Sequence, residues 1–211
     1  QRDDPENIPP PNTVTIAGTL QTPLGCPGDW NTQCEDTMLT YDADSDLWLA
    51  TFVLPAGEYE YKAALNGTWD DNYGLGAEYY GPNISLVVAE DGPVTFWYDH
   101  RSRWVADNVN HQLVSVFGDF QDELGCPADD APECLRGLLL DPDGDGVYEY
   151  VTAAVPPGDY SATVAVSAGD ETGALTSAAT AGDAVAFTVG EGEAVLFSYD
   201  AAAGTLTTAA A

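Results

Sequence analysis

Short runs of alternating apolar and polar residues recur along the chain, and most are followed by glycine, proline or asparagine. The clearest are Leu47–Leu54 and residues 58–65, and residues 13–17, 84–88 and 94–98 show the same period. A period of two is typical of a half-buried β-strand. No long segment shows the 3.6-residue period of an amphipathic helix, so the pattern predicts an all-β protein.

The chain also repeats itself. The run Gly18-Thr-Leu-Gln-Thr-Pro-Leu-Gly-Cys-Pro returns one hundred positions later as Gly118-Asp-Phe-Gln-Asp-Glu-Leu-Gly-Cys-Pro, and later matches are offset by 101. A repeat of this length indicates a duplicated domain rather than a solenoid unit. About seven short strands in each copy predict two tandem immunoglobulin-like β-sandwich domains. We place them at residues 13–108 and 109–211, after an extended, acidic, proline-rich arm at residues 1–12.

Four cysteines form two close pairs, and each pair brackets seven residues. A zinc site normally needs tighter spacing and a nearby histidine, which neither pair has. Two local disulfides, Cys26 with Cys34 and Cys126 with Cys134, are therefore the favoured interpretation. They predict an oxidising compartment, and hence a secreted, extracellular protein.

Charge narrows the choice of partner. Thirty-five acidic and five basic side chains give a formal charge of −30. Such a surface repels nucleic acid and anionic membranes, so neither is an expected partner. No segment reaches the ~20 apolar residues that a membrane-spanning helix needs, and no signal peptide is present at Gln1, which indicates a processed or trimmed secreted chain.

The candidate site lies between Tyr59 and Gly74. An aromatic-rich strand that carries the only lysine of the chain leads through an Asn-Gly turn into a polar loop. An aromatic ring beside amide, carboxylate and ammonium groups suits a neutral polyhydroxylated ligand such as a sugar. The plainer alternative is an acidic surface loop whose tryptophan folds back over the core. The candidate ligand-binding residues here are Lys62, Asn66, Trp69, Asp71, Asn72 and Tyr73.

The two copies differ in these residues. All five tryptophans lie in the first copy, and Trp69 has no counterpart in the second. Thr163 stands opposite Lys62, and Asp130 stands opposite Trp30. The scaffold is thus kept while the candidate ligand groups are lost, which favours a functional loop in the first copy. A tryptophan that only covers the core or the disulfide would explain Trp48 and Trp30 equally well.

Three stretches carry a family resemblance. They are Gln-Thr-Pro-Leu-Gly-Cys-Pro-Gly-Asp-Trp, the run from Leu54 to Gly74, and Phe-Trp-Tyr-Asp-His at 96–100. Together they resemble the non-catalytic starch-binding modules found beside pullulanases and α-amylases, often in tandem in secreted bacterial proteins. The resemblance implies β-sandwich modules that hold α-1,4-glucan without cleaving it. It adds Trp97 or Trp104 as a second aromatic, and an attached catalytic domain as a partner.

Other motifs predict less. Asp141, Asp143 and Asp145 resemble the opening of a calcium loop but lack the distant bidentate glutamate, so a solvated acidic turn is preferred over a calcium site. No nucleophile elbow, phosphate loop or catalytic triad is found, so no enzyme and no cofactor are expected. The alternative function is a structural subunit of an extracellular filament or surface assembly, with self-assembly through open sheet edges and residues 13–17 as the donated strand.

Overall fold

The structure, a computed structural model, describes residues 10–170 and 175–211 of the chain. Its regular elements are β-strands and three short 3-10 turns, so the all-β prediction is confirmed. Two compact units are present, and the boundary between the two copies falls between His111 and Gln112. Most of the predicted N-terminal arm, residues 1–9, lies outside the described residues.

Within the part of the chain that the structure describes, the first unit contains eight strands in two antiparallel sheets. The strands are β1 (Val14–Gly18), β2 (Thr40–Asp42), β3 (Leu47–Leu54), β4 (Gly57–Leu65), β5 (Asn72–Tyr73), β6 (Ile84–Val88), β7 (Gly92–Asp99) and β8 (Trp104–Asp107). In one sheet β4 lies between β1 on one side and β6 and β5 on the other. The other sheet has the order β2-β3-β7-β8.

The second unit has the same plan. Its strands are β9 (Leu113–Gly118), β10 (Leu138–Leu139), β11 (Val147–Thr152), β12 (Gly158–Gly169), β13 (Leu175–Val189), β14 (Val195–Asp200) and β15 (Thr205–Ala210). They form the sheets β10-β9-β12-β13 and β11-β14-β15. The predicted tandem sandwich is thus confirmed, although the second copy replaces the short β5 and its loops with the long strands β12 and β13.

The predicted hairpin through Pro55-Ala56-Gly57 is wrong. β3 pairs with β2 and β7, whereas β4 pairs with β1, β5 and β6 in the other sheet. The proline-glycine segment therefore crosses between the sheets. The Tyr59 hydroxyl donates to the Pro55 carbonyl at 2.9 Å and holds this crossing, in the manner of the tyrosine corner of Greek-key sandwiches. Tyr160 does the same with Pro156 at 3.1 Å in the second copy.

Each unit has its own apolar core between its sheets. In the first, Tyr61 and Phe96 are fully buried and meet edge to face, with ring centroids 5.1 Å apart. In the second, Phe120 stacks on Phe197 at 5.3 Å. Alternation along each strand sends one face into these cores, and the burial of that apolar surface is the main stabilising term.

A glycine at the end of the first strand of each copy permits close approach of the strand paired with it, β4 in the first copy and β12 in the second. A Cβ at Gly18 would lie 2.1 Å from the Glu60 carbonyl oxygen, and one at Gly118 would lie 1.9 Å from that of Ser161. No side chain larger than hydrogen fits at either position without displacing the backbone. Among the described residues, no helix has the length and apolar character needed to cross a bilayer.

Candidate functional site

The Trp69 loop is held at its base by the strands on either side of it. Asn66 and Gly67 have φ values of 55° and 68°, as expected for an Asn-Gly turn. The Leu65 amide then donates to the Asp71 carbonyl at 2.9 Å and closes the loop. Trp69 lies at its tip with 37% of its surface exposed. The indole is therefore presented to solvent, as the sugar-binding hypothesis requires.

Lys62 on β4 and Asn72 on β5 hold the Trp69 loop through a chain of two hydrogen bonds. Asn72 is only 2% exposed, and its side-chain nitrogen donates to the Trp69 carbonyl at 2.9 Å. The Lys62 ammonium donates to the Asn72 side-chain oxygen at 3.2 Å. We expected both side chains to bond sugar hydroxyls, but the buried Asn72 amide serves to position Trp69. Lys62 is half-buried and keeps two further N–H donors.

A second tryptophan, Trp30, lies beside Trp69. Their ring centroids are 6.2 Å apart and their planes are inclined by 44°. Trp30 comes from the loop closed by the Cys26–Cys34 disulfide, which is present as predicted. That loop is tied to the Trp69 loop by the Thr32 hydroxyl, which donates to the Gly67 carbonyl at 2.7 Å. Two loops distant in sequence thus build one aromatic surface.

Trp30 holds this place at a conformational cost. Its φ of 59° lies in the left-handed region, which bulky side chains disfavour by about 1–2 kcal/mol. The backbone is held there by Gln21, which is fully buried. Its side-chain oxygen accepts from the Asn31 amide at 2.7 Å, and its nitrogen donates to the Asn31 carbonyl at 2.8 Å.

Two tyrosines follow on the loop after β5. Tyr79 and Tyr80 are 51% and 56% exposed, and their rings meet edge to face at 4.5 Å. Both hydroxyls donate to the Asp70 carbonyl at 2.8 Å, directly after Trp69. Partial desolvation and the neighbouring Tyr80 and Asp71 raise the pKa of Tyr79 to about 12, so its hydroxyl stays a neutral donor.

Several predicted site residues take other positions. Trp97 and Trp104 are 2% and 6% exposed, so neither ring is open to a ligand. Both lie on the face of their sheet opposite the core, since the core cluster takes Phe96, Tyr98 and Val105 from these strands instead. Tyr73 is also buried; it stacks on Tyr98 at 6.0 Å, and its hydroxyl accepts a hydrogen bond from Arg103.

Two further candidates lie at the surface of the loop. Asp71 is exposed, and one of its carboxylate oxygens accepts from the Tyr79 hydroxyl at 3.3 Å. Asn66 is exposed as well, and its side-chain oxygen accepts from the Asn12 amide at 2.7 Å. The candidate glucan surface thus consists of Trp30, Trp69, Tyr79 and Tyr80, with Lys62 and Asp71 beside it.

Sequence reasoning left Trp30, Tyr79 and Tyr80 out of the site. For Trp30 the signal was available, because Asp130 replaces it in the second copy. The same comparison would have found the tyrosines, since residues 161–186 contain no aromatic side chain. Loss of several rings together in one copy marks a shared role better than any one motif does.

The turn at residues 141–145, a weak calcium candidate in the sequence, is stabilised by its own first aspartate. The carboxylates of Asp141, Asp143 and Asp145 lie close enough to share an ion. Asp141, however, is 4% exposed and accepts from the backbone amides of Gly144, Asp145 and Gly146 at 2.8, 3.1 and 3.0 Å. These bonds explain the aspartate without a metal, because an aspartate at this position caps a turn.

Comparison with known proteins gives the family. The profile of the pullulanase X25 domain matches residues 13–105 and again residues 113–205. The chain is 36% identical over 157 residues to an amylopullulanase from Thermoanaerobacterium thermosulfurigenes, which covers 70% of this chain and 8% of that protein. It is 33% identical over 157 residues to an amylopullulanase from Thermoanaerobacterium saccharolyticum, covering 70% of this chain and 12% of that protein.

Two solved structures align over almost the whole chain. The pullulanase from Bacillus acidopullulyticus matches with a TM-score of 0.44 and 20% identity, over 95% of this chain and 28% of that one. SusF from Bacteroides thetaiotaomicron matches with a TM-score of 0.30 and 15% identity, over 94% of this chain and 47% of that one. The chain spans a small part of the amylopullulanases that it matches. On the two profile matches, it belongs to the pullulanase X25 domain family and carries two copies of that domain in tandem.

Proposed function

We propose that the first copy is a non-catalytic module that binds an α-1,4-linked glucan across Trp30 and Trp69. The observation that carries the proposal is the open indole of Trp69. Its ring centroid lies 6.2 Å from that of Trp30, and the two loops are joined by the hydrogen bond from Thr32 to Gly67. Indole faces bind the apolar faces of sugar rings, and their rigidity limits the entropy lost on binding. Lys62 has donors left for sugar hydroxyls at the edge of this surface.

The angle between the two rings supports an α-linked ligand. Successive rings of an α-1,4-glucan turn relative to one another, so a chain of this type presents a curved surface. Two tryptophans inclined by 44° follow such a curve, whereas a flat β-1,4-glucan suits coplanar rings. The relatives carry the name amylopullulanase, which refers to α-linked glucans, and this supports the same ligand class.

The module is proposed as an accessory to a catalytic domain and not as an enzyme itself. The matching amylopullulanases are far longer than this chain, which leaves room in them for separate catalytic parts. The two disulfides, Cys26–Cys34 and Cys126–Cys134, support an extracellular location, because such bridges persist in oxidising compartments.

The structure bears on one part of the assembly alternative, the donated strand. The donated strand was to be residues 13–17, but β1 pairs with β4 of its own sheet from Val14 to Gly18. All five β1 residues are buried, so its release would expose core.

Titration with maltoheptaose tests the proposal. We expect it to quench tryptophan fluorescence with a dissociation constant of roughly 1 mM or below. Trp69→Ala should weaken binding about fivefold or more, because an aromatic stack contributes ~1–3 kcal/mol. Trp69→Phe should recover part of the loss, since it keeps a ring.

Two controls make the result specific. Val87→Ala removes a side chain that is 60% exposed on β6 and should leave binding unchanged. Cellohexaose, a β-linked glucose oligosaccharide one unit shorter, should give no quenching at the same concentrations. Equal binding of both sugars, or unchanged maltoheptaose affinity in Trp69→Ala, would contradict the proposal.

A further inference from the structure

The loop between β5 and β6 is tightly built and carries two open tyrosine rings. A Cβ on Gly74 would lie 2.0 Å from the Pro82 carbonyl oxygen, so the two ends of the loop are in close contact. Between them, Tyr80 has a φ of 54°. A bulky aromatic side chain rarely adopts this left-handed conformation, and such strain tends to be kept where it serves a function.

Both tyrosines are fixed at more than one point. Their hydroxyls donate to the same acceptor, the Asp70 carbonyl, each at 2.8 Å. The backbone amide of Tyr80 also donates to the Asn72 carbonyl at 3.1 Å. The rings are therefore oriented before any ligand binds, and with both hydroxyls engaged, the groups left for a ligand are mainly the ring faces.

The tyrosines are tethered to the same loop as Trp69. The Trp30 loop is attached just before Trp69, through the bond from Thr32 to Gly67. The tyrosines are attached just after Trp69, through Asp70. Trp69 lies between these two attachments in the chain, so both the Trp30 loop and the tyrosines are tethered within two residues of it.

We propose that Tyr79 and Tyr80 form a second contact for the glucan, which makes the site prefer chains too long to rest on the tryptophan pair alone. This inference depends on the proposed function and names its chain-length specificity. A short oligosaccharide contacts Trp30 and Trp69, and a longer one also reaches the tyrosine rings. Tyr80 is the principal contact, because Tyr79 also packs against Tyr73 at 5.6 Å and is covered in part.

The test compares the affinities of maltotriose and maltoheptaose by isothermal titration calorimetry. For the wild-type chain we expect maltoheptaose to bind roughly tenfold more tightly than maltotriose, the gain expected for one further aromatic stack. Tyr80→Ala should reduce this ratio to about two or less. Tyr80→Phe keeps the ring without its hydroxyl, so it should retain most of the ratio.

Leu75→Ala serves as the matched control. Leu75 lies on the same loop and is 55% exposed, but it is aliphatic and should not affect the ratio. Near-ultraviolet circular dichroism of each variant checks that the aromatic surface is still folded.

Each outcome has a definite meaning. An unchanged ratio in Tyr80→Ala would overturn the inference. Equal losses in Tyr80→Phe and Tyr80→Ala would overturn it too, because they would show that the tyrosine acts through Asp70 as a support. A wild-type chain that binds neither sugar would refute the proposed function itself. A chain that binds both sugars equally would refute only the chain-length preference.

Discussion

Trp30 and Asp130 occupy the same place in two disulfide loops, and both have a left-handed backbone, with φ of 59° and 51°. Aspartate adopts this conformation at lower cost than a bulky residue such as tryptophan. The support beneath them is the same: Gln121, like Gln21, is fully buried, and it bonds the Ala131 amide at 2.7 Å and carbonyl at 3.0 Å. The second copy thus has the relaxed residue, and the first has a strained one whose ring lies beside Trp69.

This difference separates scaffold from function without reference to any other protein. Features that hold the sandwich occur in both copies, namely the disulfide, the buried glutamine, the crossing tyrosine and the glycine at the end of the first strand. Features that form the aromatic surface occur only in the first. A ring that is kept at a conformational cost in one copy, and absent from the other, is explained by a ligand better than by folding.

The largest expected effect concerns the two equivalent glycines, Gly18 and Gly118, at the end of the first strand of each copy. Gly18→Ala and Gly118→Ala each place a methyl group about 2 Å from a backbone oxygen of the neighbouring strand. Each should destabilise its own copy by about 3 kcal/mol or more, measured by urea unfolding of the full chain. Gly28→Ala is the control, since a Cβ there meets no atom within 4 Å. A mild effect in one copy would show that the two scaffolds are not equivalent.

The second-largest effect is expected at Trp30, where the second copy has Asp130. Trp30→Asn puts a residue that tolerates a left-handed backbone at the strained position. Maltoheptaose affinity should fall roughly tenfold, because half of the indole pair is lost. Stability should stay within about 1 kcal/mol of wild type, since relief of strain offsets the lost contact with Trp69. Calorimetric titration and thermal melting measure the two effects, and a large loss of stability with unchanged affinity would assign Trp30 to the fold.

The smallest expected effect concerns two aspartates at equivalent turns of the two copies. Asp99 is 5% exposed; its carboxylate accepts from Arg101 at 3.1 Å and from the Ser102 hydroxyl at 2.6 Å. Asp200, at the equivalent turn, accepts from the amides of Ala202 and Ala203, both at 2.9 Å. Asp99→Asn should cost about 1–2 kcal/mol at pH 7, and Asp200→Asn less, because only Asp99 has a cationic partner.

The cost at Asp99 should depend on pH. Burial raises the pKa of Asp99, but Arg101 and Ser102 outweigh it and hold the pKa below the ordinary value of 3.8. A carboxylate with a lowered pKa in the folded state stabilises the fold above its unfolded pKa, and this contribution is lost as the pH falls through the folded value. The difference between wild type and Asp99→Asn should therefore shrink below about pH 4. A constant difference from pH 7 to pH 3 would contradict this assignment.

Much of the fold followed from the sequence, because alternation and the internal repeat are local signals. The Asn66-Gly67 turn and the strand Leu47–Leu54 have the predicted conformation. Strand pairing was less accessible: Pro55-Ala56-Gly57 has the composition of a hairpin turn, but whether it joins neighbours or crosses between sheets depends on non-local partners.

The sequence predicted the position of the Trp69 loop, but it did not predict which other aromatic residues lie beside it. The pattern placed Trp69 correctly at an exposed tip, since polar residues surround it on both sides. The family resemblance added Trp97 or Trp104 as a second aromatic, although both are covered. Exposure of a ring outside the core face depends on what packs over it, and alternation carries no information about that. The contact of Trp30 with Trp69 joins segments 39 residues apart and was not predictable, although the replacement of Trp30 by Asp130 in the second copy was a usable signal.

The bridge between Cys26 and Cys34 has a consequence for regulation by redox potential. Its loop contributes one of the two indoles, whereas Trp69 stands on a turn with no sulfur in it. A thiol reductant would therefore act selectively on the Trp30 half of the aromatic pair and leave the β4–β5 turn in place. The proposed glucan binding would then depend on the oxidised state of the chain and weaken where the surroundings keep thiols reduced.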